Sequence, residues 1–370
     1  MFLELNDEFK TFLTIIFDKA KTLNKRLFIV GGAVRDYYLN LPVKDFDLIL
    51  EGNSIDFVQS LPPEITIKSI HKDFGTVKLL YNGAEYDLAS TRTENYPYNG
   101  CLPVVDKIGV SIEQDSKRRD FSINSMYFEV LDKLNFKLFD PFCGSKDIEN
   151  KSLCVLHDKS YLDDSTRIFR GMAFKYRFGF DFSEHDKELI KECIETINPE
   201  NMSYDRLLNV FKKSLMYPFG LVMFKEIIEK KYYKIITKSD LKPDFELIKQ
   251  VIEQFEMNYT EFADLCEKIV TEQNTFIDQN PDYKAYSNLN KTDLAYYYYQ
   301  SHDKNVITYL KIKDIKPLIT GDDLIKSGYK QGKIIGEILD CVLNYKRANK
   351  DKNFTKNDEM EFVKTFFPLN

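Results

Sequence analysis

Apolar residues at Phe9, Phe12, Leu13, Ile16, Phe17 and Ala20 recur in steps of three and one, which predicts an amphipathic helix over 9–20. An unbroken apolar run from Leu27 to Val30 then predicts a strand, Gly31-Gly32 a turn, 33–39 a helix and 45–50 a second strand. Side chains alternate along a strand, so Asp45 and Asp47 are expected on one face, with Phe46, Leu48 and Leu50 on the other. Two β-rich runs, 76–81 and 84–90, flank Asn82-Gly83, a dipeptide that favours the two-residue hairpin turn. The glycine- and proline-bearing stretch 93–110 reads as loop, 121–128 as helix, and 130–139 as a hairpin around Asp132 and Lys133. Beyond Asp140 helical spacing dominates, through 166–178, 186–194, 204–215 and 219–236. Ser203 is a candidate N-cap, and Asn198-Pro199 interrupts the chain just before a soft boundary near residue 200.

Length sets the scale: 370 residues suggest two or three domains in an enzyme-sized chain. With 43% hydrophobic and 30% charged residues, the balance is that of a folded protein. No apolar run approaches the roughly 20 residues of a membrane helix. The first residues, with Glu4, Asp7 and Glu8, do not read as a secretory signal, and the six dispersed cysteines form no C-x-x-C pair. The expectation is a cytoplasmic protein with reduced thiols and no membrane partner. A net charge of −6 argues against a chain basic all over, yet 205–240 carries Arg206, Lys212, Lys213, Lys225, Lys230, Lys231, Lys234 and Lys238 against four acids. A local nucleic-acid face stays open.

Asp45 and Asp47, close behind a glycine turn, offer hard oxygen ligands suited to magnesium. Two such ions, about 3.5–4 Å apart, activate an attacking hydroxyl and stabilise a leaving pyrophosphate. Gly31-Gly32-Ala33-Val34-Arg35-Asp36 lets backbone N–H groups approach a triphosphate, and it fails the G-x-G-x-x-G pattern of a dinucleotide fold. An exposed strand face explains Asp-x-Asp equally well when it stands alone.

It does not stand alone. The glycine motif, Asp45-Phe46-Asp47, Phe74-Gly75-Thr76-Val77 and Tyr86-Asp87-Leu88-Ala89 with Arg92 and Tyr96 arrive in order. Asp115-Ser116-Lys117-Arg118-Arg119-Asp120-Phe121-Ser122-Ile123-Asn124 follows, then Asp140-Pro141 with Gly144 and Asp147, and Asp163-Asp164-Ser165-Thr166-Arg167 leading to Arg170. In this order the sequence resembles the class II tRNA nucleotidyltransferases, meaning CCA-adding enzymes and bacterial poly(A) polymerases, within the polymerase-β-like superfamily. The resemblance is specific to about residue 180. A segment from Ile319 through Gly328, Gly332 and Gly336, with Lys330 and Lys333, resembles a tail element of such enzymes.

The resemblance implies an α+β fold: a polymerase-β-like head with a small mixed sheet over 1–140, a neck with the nucleotide-selecting helix over 141–200, and a helical, tRNA-binding body and tail over 201–370. Asp45 and Asp47 are expected to bind two Mg2+ ions, and Asp87 to be a third carboxylate that orients or deprotonates the RNA 3′-hydroxyl. Gly31, Gly32, Arg35, Arg118, Arg119, Asp120, Asp164, Arg167 and Arg170 are expected at the nucleotide, with Arg35 and Asp36 equally suited to a structural ion pair. Arginine forks bind phosphate, and a carboxylate accepts from a ribose 2′-hydroxyl. Asp164 and Arg167 are implied to select CTP and ATP, because cytosine N4 and adenine N6 both donate where guanine and uracil accept. Lys212, Lys213, Lys230, Lys231, Lys330 and Lys333 are candidate contacts to tRNA phosphates. Ser165, Ala173 and Cys154 depart from the family pattern, the latter two where arginine is frequent. The activity expected is CCA addition with pyrophosphate release. The alternatives are CC addition, A addition, poly(A) synthesis, and a non-catalytic RNA-binding protein.

Overall fold

Helix α1 (Asp7–Thr22) is capped by the Asn6 side chain, which accepts from the Phe9 N–H, and buries Phe9, Phe12, Leu13, Ile16 and Ala20. Acidic Asp7 and Glu8 in its first turn and Lys19 and Lys21 in its last complement the helix dipole. The structure is a computed structural model that describes residues 5–43, 45–199, 202–272, 283–350 and 352–369. The chain divides into two units, Met1–Lys242 and Pro243–Asn370.

In the first unit, β1 (Leu27–Val30), α2 (Gly32–Tyr38), β2 (Asp47–Leu50), α3 (Ser54–Val58), β3 (Thr66–His71), β4 (Thr76–Tyr81) and β5 (Ala84–Ser90) come in sequence. After them come β6 (Arg92–Asn95), β7 (Val104–Ile108), α4 (Ile112–Ser116), β8 (Tyr127–Leu131) and β9 (Asn135–Phe139). Seven strands form one mixed sheet in the order β3-β4-β5-β2-β1-β8-β9. β1 runs antiparallel to β2 and β8, whereas β2 and β5 are parallel, with Leu48 opposite Leu88. Asn82-Gly83 joins β4 and β5 as the sequence suggests.

Four expectations need correction. β2 begins at Asp47, so Asp45 precedes the strand instead of sharing its face; Phe46 is stacked 4.3 Å from Phe9. The expected loop 93–110 contains β6 paired antiparallel with β7, and its turn residues Pro97, Gly100 and Pro103 lie in the connection. The expected helix 121–128 is a 3-10 turn, Ser122–Asn124, followed by β8. β8 lies inside the sheet with Tyr127 and Phe128 both fully buried, so alternation is lost and a short apolar run imitates a helix. Helix 219–236 breaks, because Lys231 takes a left-handed φ of 59° between two helical segments.

Next come α5 (Gly144–Glu149), β10 (Ser152–Leu153), α6 (Ser160–Asp163), α7 (Thr166–Phe178), β11 (Asp181–Phe182), α8 (Glu184–Thr196), α9 (Tyr204–Leu215) and α10 (Gly220–Glu229). β10 and β11 form a short parallel pair. α9 turns Leu207, Leu208, Phe211 and Leu215 inward, and Phe211 meets Phe169 of α7 at 5.0 Å.

The second unit is helical: α11 (Phe245–Gln254), α12 (Tyr259–Thr271), α13 (Tyr283–Ser287), α14 (Lys291–Ser301), α15 (Lys304–Ile312), α16 (Gly321–Lys326), α17 (Lys333–Ala348) and α18 (Lys356–Phe366). Ile319, Leu324, Tyr329, Ile338, Val342 and Val363 make a core of their own for its last three helices. No described helix is long and apolar enough to cross a membrane.

Candidate active site

A cavity of about 390 Å3 opens in the first unit, with Gly31, Gly32, Asp47, Arg118, Arg119, Asp120, Asp164, Arg167 and Arg170 in its wall. Gly31 and Arg170, 139 positions apart in sequence, thus meet around one space. Gly31 has φ 70° and ψ −122° at the junction of β1 and α2, a conformation that disfavours any residue with a Cβ. Arg35 lines the cavity but is also buried: its guanidinium bonds Asp36 at 2.7 Å and Asn124 at 2.8 Å and lies over the Phe178 ring. It therefore makes the ion pair that the sequence left as an equal reading.

The carboxylates follow. Asp47 opens onto the cavity, while Asp45 is exposed just ahead of β2 and Asp87 lies on β5. Asp45 and Asp87 are not in the cavity wall, yet both act on Asp47. Loss of hydration pushes the Asp47 carboxyl above its ordinary range, the Asp87 and Asp45 charges add to this, and Arg119 and Lys78 partly offset it. The Asp87 carboxylate accepts from Lys78 Nζ at 3.1 Å, directly across the hairpin. Among the described residues, no group of three or more His, Cys, Asp or Glu side chains is arranged to hold a metal ion.

The opposite charges are dense. Arg118 Nε bonds Asp115 at 2.9 Å and its Nη1 reaches Glu94 at 3.3 Å. Arg119 lies over the Tyr127 ring at 5.4 Å, and its Nη1 is within 3.9 Å of where a Cβ on Gly31 would stand. Asp120 accepts from the Phe121 N–H at 2.9 Å and from Asn124 at 3.0 Å, and pairs with Arg170 at 2.6 Å. Burial would raise the Asp120 carboxyl, but Arg170, Asn124 and Arg167 hold it below its ordinary range. Arg170 is thus a partner of Asp120 as well as a wall of the cavity.

Asp164 and Arg167 are 5% and 2% exposed and do come together at the start of α7. Asp164 Oδ1 accepts from Thr166 Oγ1 at 2.6 Å, and Oδ2 is paired with Arg206 Nη2 at 2.6 Å. Burial would lift this carboxyl; Arg206, Arg167 and Thr166 hold it down. Arg206 belongs to α9 and lines the same cavity, as do Arg92, Glu94 and Tyr96 from the β6 side of the β6–β7 hairpin, which forms a flap beside it. Sequence reading placed Arg206 only in a basic stretch, and no local signal tied it to Asp164, 42 positions away. Among the described residues, Arg119 Nε and Arg167 Nη1 are buried without a hydrogen-bond partner.

The candidate RNA contacts lie elsewhere. Lys213, Lys230 and Lys231 are exposed and Lys212 half-buried on and after α9 and α10, and Lys230 and Lys231 border a second, basic cavity with Lys187 and Lys191. In the second unit Lys330 is exposed, and Lys333, also exposed, reaches Glu337 at 3.6 Å.

Residues 27–154 match the poly A polymerase head domain. An A-adding tRNA nucleotidyltransferase of Halalkalibacterium halodurans is 27% identical over 95% of this chain and 91% of its own length. Another, of Geobacter sulfurreducens, is 36% identical over 50% of this chain, and the match spans only 21% of that relative. In fold, the Thermotoga maritima CCA-adding enzyme complexed with tRNA superposes with a TM-score of 0.71 at 22% identity, covering 98% of this chain and 96% of that one. Residues 27–154 thus carry a head domain of the poly A polymerase type, and nearly the whole chain shares the fold of the CCA-adding enzyme.

Proposed function

We propose that the chain is a template-independent nucleotidyltransferase that adds CCA to tRNA 3′ ends from CTP and ATP in the cytoplasm, releasing pyrophosphate. The observation that carries this reading is the pair of buried, unpartnered guanidinium nitrogens, Arg119 Nε and Arg167 Nη1, in the wall of a cavity that also reaches Asp47. A buried donor left unpaired costs about 1–3 kcal/mol, and a nucleotide supplies the missing acceptors. In this reading Gly31 and Gly32 leave room for the phosphate chain, and Arg118 and Arg119 bind its oxygens in forked geometry. Asp120, kept charged and aimed by Asn124 and Arg170, accepts from the ribose 2′-hydroxyl. Asp164 accepts the amino group of cytosine or adenine, and Arg167 donates to the neighbouring ring nitrogen.

Asp45 and Asp47 fit magnesium, for their oxygens are hard donors and the crowding that lifts Asp47 is what a divalent cation relieves. Two carboxylates suffice, since magnesium takes its other ligands from water and substrate phosphates. Bound there, it supplies charge stabilisation to the triphosphate and activates the attacking hydroxyl. Asp87, held by Lys78, is the candidate to orient the 3′-hydroxyl or accept its proton. Lys212, Lys213, Lys230, Lys231, Lys330 and Lys333 are the candidate contacts to tRNA phosphates.

A-addition alone is the second reading, favoured by the name of the relative that matches 95% of this chain. The test supplies magnesium, CTP and ATP, together or singly, to tRNA ending at the discriminator base or in CC, and resolves products to one nucleotide. Three added nucleotides establish CCA synthesis, whereas extension only of the CC-ending tRNA establishes A-addition. A long adenosine ladder, or no product, overturns both.

A further inference from the structure

Asp115 is fully buried at the end of α4 and stands behind the cavity wall, not in it. Its two oxygens collect four donors. Oδ1 accepts from the Arg92 backbone N–H at 3.0 Å and from Arg118 Nε at 2.9 Å. Oδ2 accepts from Arg119 Nη2 at 3.4 Å and from the Tyr127 hydroxyl at 3.3 Å. One carboxylate thus ties together the base of the β6–β7 flap, both arginines of the phosphate wall and the interior strand β8. Its own place is fixed by Ile112 on the same short helix, which packs with Phe28, Val30, Ile49 and Tyr127.

We propose that Asp115 is a positioning residue for nucleotide binding, setting the direction in which Arg118 and Arg119 present their donors and fastening the flap at Arg92 to the same point. The inference rests on the reading above that these arginines bind the triphosphate. A guanidinium recognises phosphate by direction, because its donors form a rigid planar fork. Asp115 takes one donor from each fork. Arg118 then has Nη1 turned to Glu94 of the flap, and Arg119 has Nε buried and unpaired. Two neighbouring cations repel, and burial with the Arg119 charge already pushes Arg118 below its usual range. A single anion between them, itself held ionised by both arginines against the effect of burial, keeps the pair side by side. Without that anion, each guanidinium is free to turn toward Glu94, Asp47 or solvent, and the fork loses its aim.

The test compares wild type, Asp115→Asn, Arg119→Ala and the double variant in the full chain. It measures ATP and CTP binding by calorimetry, steady-state kinetics on tRNA, and thermal unfolding. Asp115→Asn is expected to raise the nucleotide KM by on the order of tenfold or more, with a smaller change in kcat, the scale of one misdirected charged hydrogen bond. The double variant is expected to lose less than the sum of the two single losses, since Asp115 acts in part through Arg119. Unchanged nucleotide binding in Asp115→Asn, or fully additive losses in the double variant, overturns the inference. Unchanged binding in Arg119→Ala overturns the triphosphate reading beneath it, whereas loss in Arg119→Ala without loss in Asp115→Asn overturns this inference alone. If Asp115→Asn fails to fold, Asp115→Glu keeps the charge but displaces both guanidinium groups by a methylene. A raised nucleotide KM in that folded variant supports the proposal, and a wild-type KM overturns it.

Discussion

Arg206 Nη2 stands 2.6 Å from Asp164 Oδ2, so the carboxylate expected to read the base is already held by a cation from another helix. α9 thereby fixes the start of α7, and Asp164 keeps only part of its accepting capacity for a nucleotide. Arg206→Ala is expected to destabilise the first unit by roughly 1–3 kcal/mol in chemical denaturation, because it strands a buried acid. It is also expected to lower discrimination of CTP and ATP against UTP and GTP in single-addition assays. Arg206 is the strongest charge holding the Asp164 carboxyl down, so the folded-state value is depressed relative to the unfolded chain. The associated stability is present above the unfolded value of about 4 and is lost as pH falls through the folded one. The acid limb of the unfolding curve should therefore be shallower in Arg206→Ala; an unchanged limb and unchanged base selection would count against the pairing.

Asp47 has the opposite sign. Lost hydration and the neighbouring Asp87 and Asp45 charges raise its carboxyl, so ionisation in the fold costs stability as pH rises through that raised value. Asp47→Asn is expected to cut nucleotide addition by on the order of 10²–10³-fold, the scale of removing one preorganised electrostatic group. Its unfolding temperature at neutral pH should equal or exceed that of wild type. A variant that loses activity together with several degrees of stability would instead mark Asp47 as structural.

Much of this was legible in the residues. Strong periodicity gave α1, α7 and α9, and Asn82-Gly83 marked the β4–β5 hairpin, because in each a single local rule decides the outcome. What escaped lacks such a rule. β3 is an edge strand with mostly exposed side chains, so no hydrophobic signal marks it. β8 is buried on both faces, so its alternation is erased. The site was legible as a set of motifs, Arg118, Arg119, Asp120, Asp164 and Arg167 all reaching one cavity. Asp115 stands in the same motif and meets Arg118 and Arg119 three and four positions on, but its bond to the Arg92 N–H and the pairing of Arg206 with Asp164 span 23 and 42 positions, which spacing alone does not encode.

Gly171 lies in α7, and a Cβ built there would sit 2.4 Å from the Phe182 ring and 3.0 Å from Phe121. Two effects oppose each other in Gly171→Ala. Helix propensity favours alanine by about 1 kcal/mol, whereas overpacking a filled core costs about 1–3 kcal/mol. Both ring neighbours are buried, Phe121 completely, so the clash is expected to win. Gly171→Ala should lower stability by roughly 1 kcal/mol, and since α7 carries Arg167 and Arg170, weaken ATP and CTP binding as well. A more stable variant would mean that α7 can shift away from the β10–β11 pair at no cost.

In the second unit Glu359 is completely buried and Lys346 nearly so, and the two form an ion pair between α17 and α18. The remaining valences are met locally. Glu359 accepts from the Leu318 and Ile319 N–H groups at 2.6 and 2.9 Å, and Lys346 Nζ donates to the Lys316 carbonyl at 2.8 Å. Lys346→Met keeps length and apolar contact but strands a buried carboxylate, a loss of about 3–5 kcal/mol. Glu359→Gln is expected to cost less, because an amide oxygen still accepts from a backbone N–H and the lysine keeps the Lys316 carbonyl. Urea unfolding should resolve the effect, provided the two units are allowed separate transitions in the fit. If Lys330 and Lys333, which flank the start of α17, contact tRNA phosphates, Lys346→Met should weaken tRNA binding and leave calorimetric ATP binding in the first unit at its wild-type value. Equal tRNA affinity after measurable destabilisation would remove the tail lysines from the RNA face.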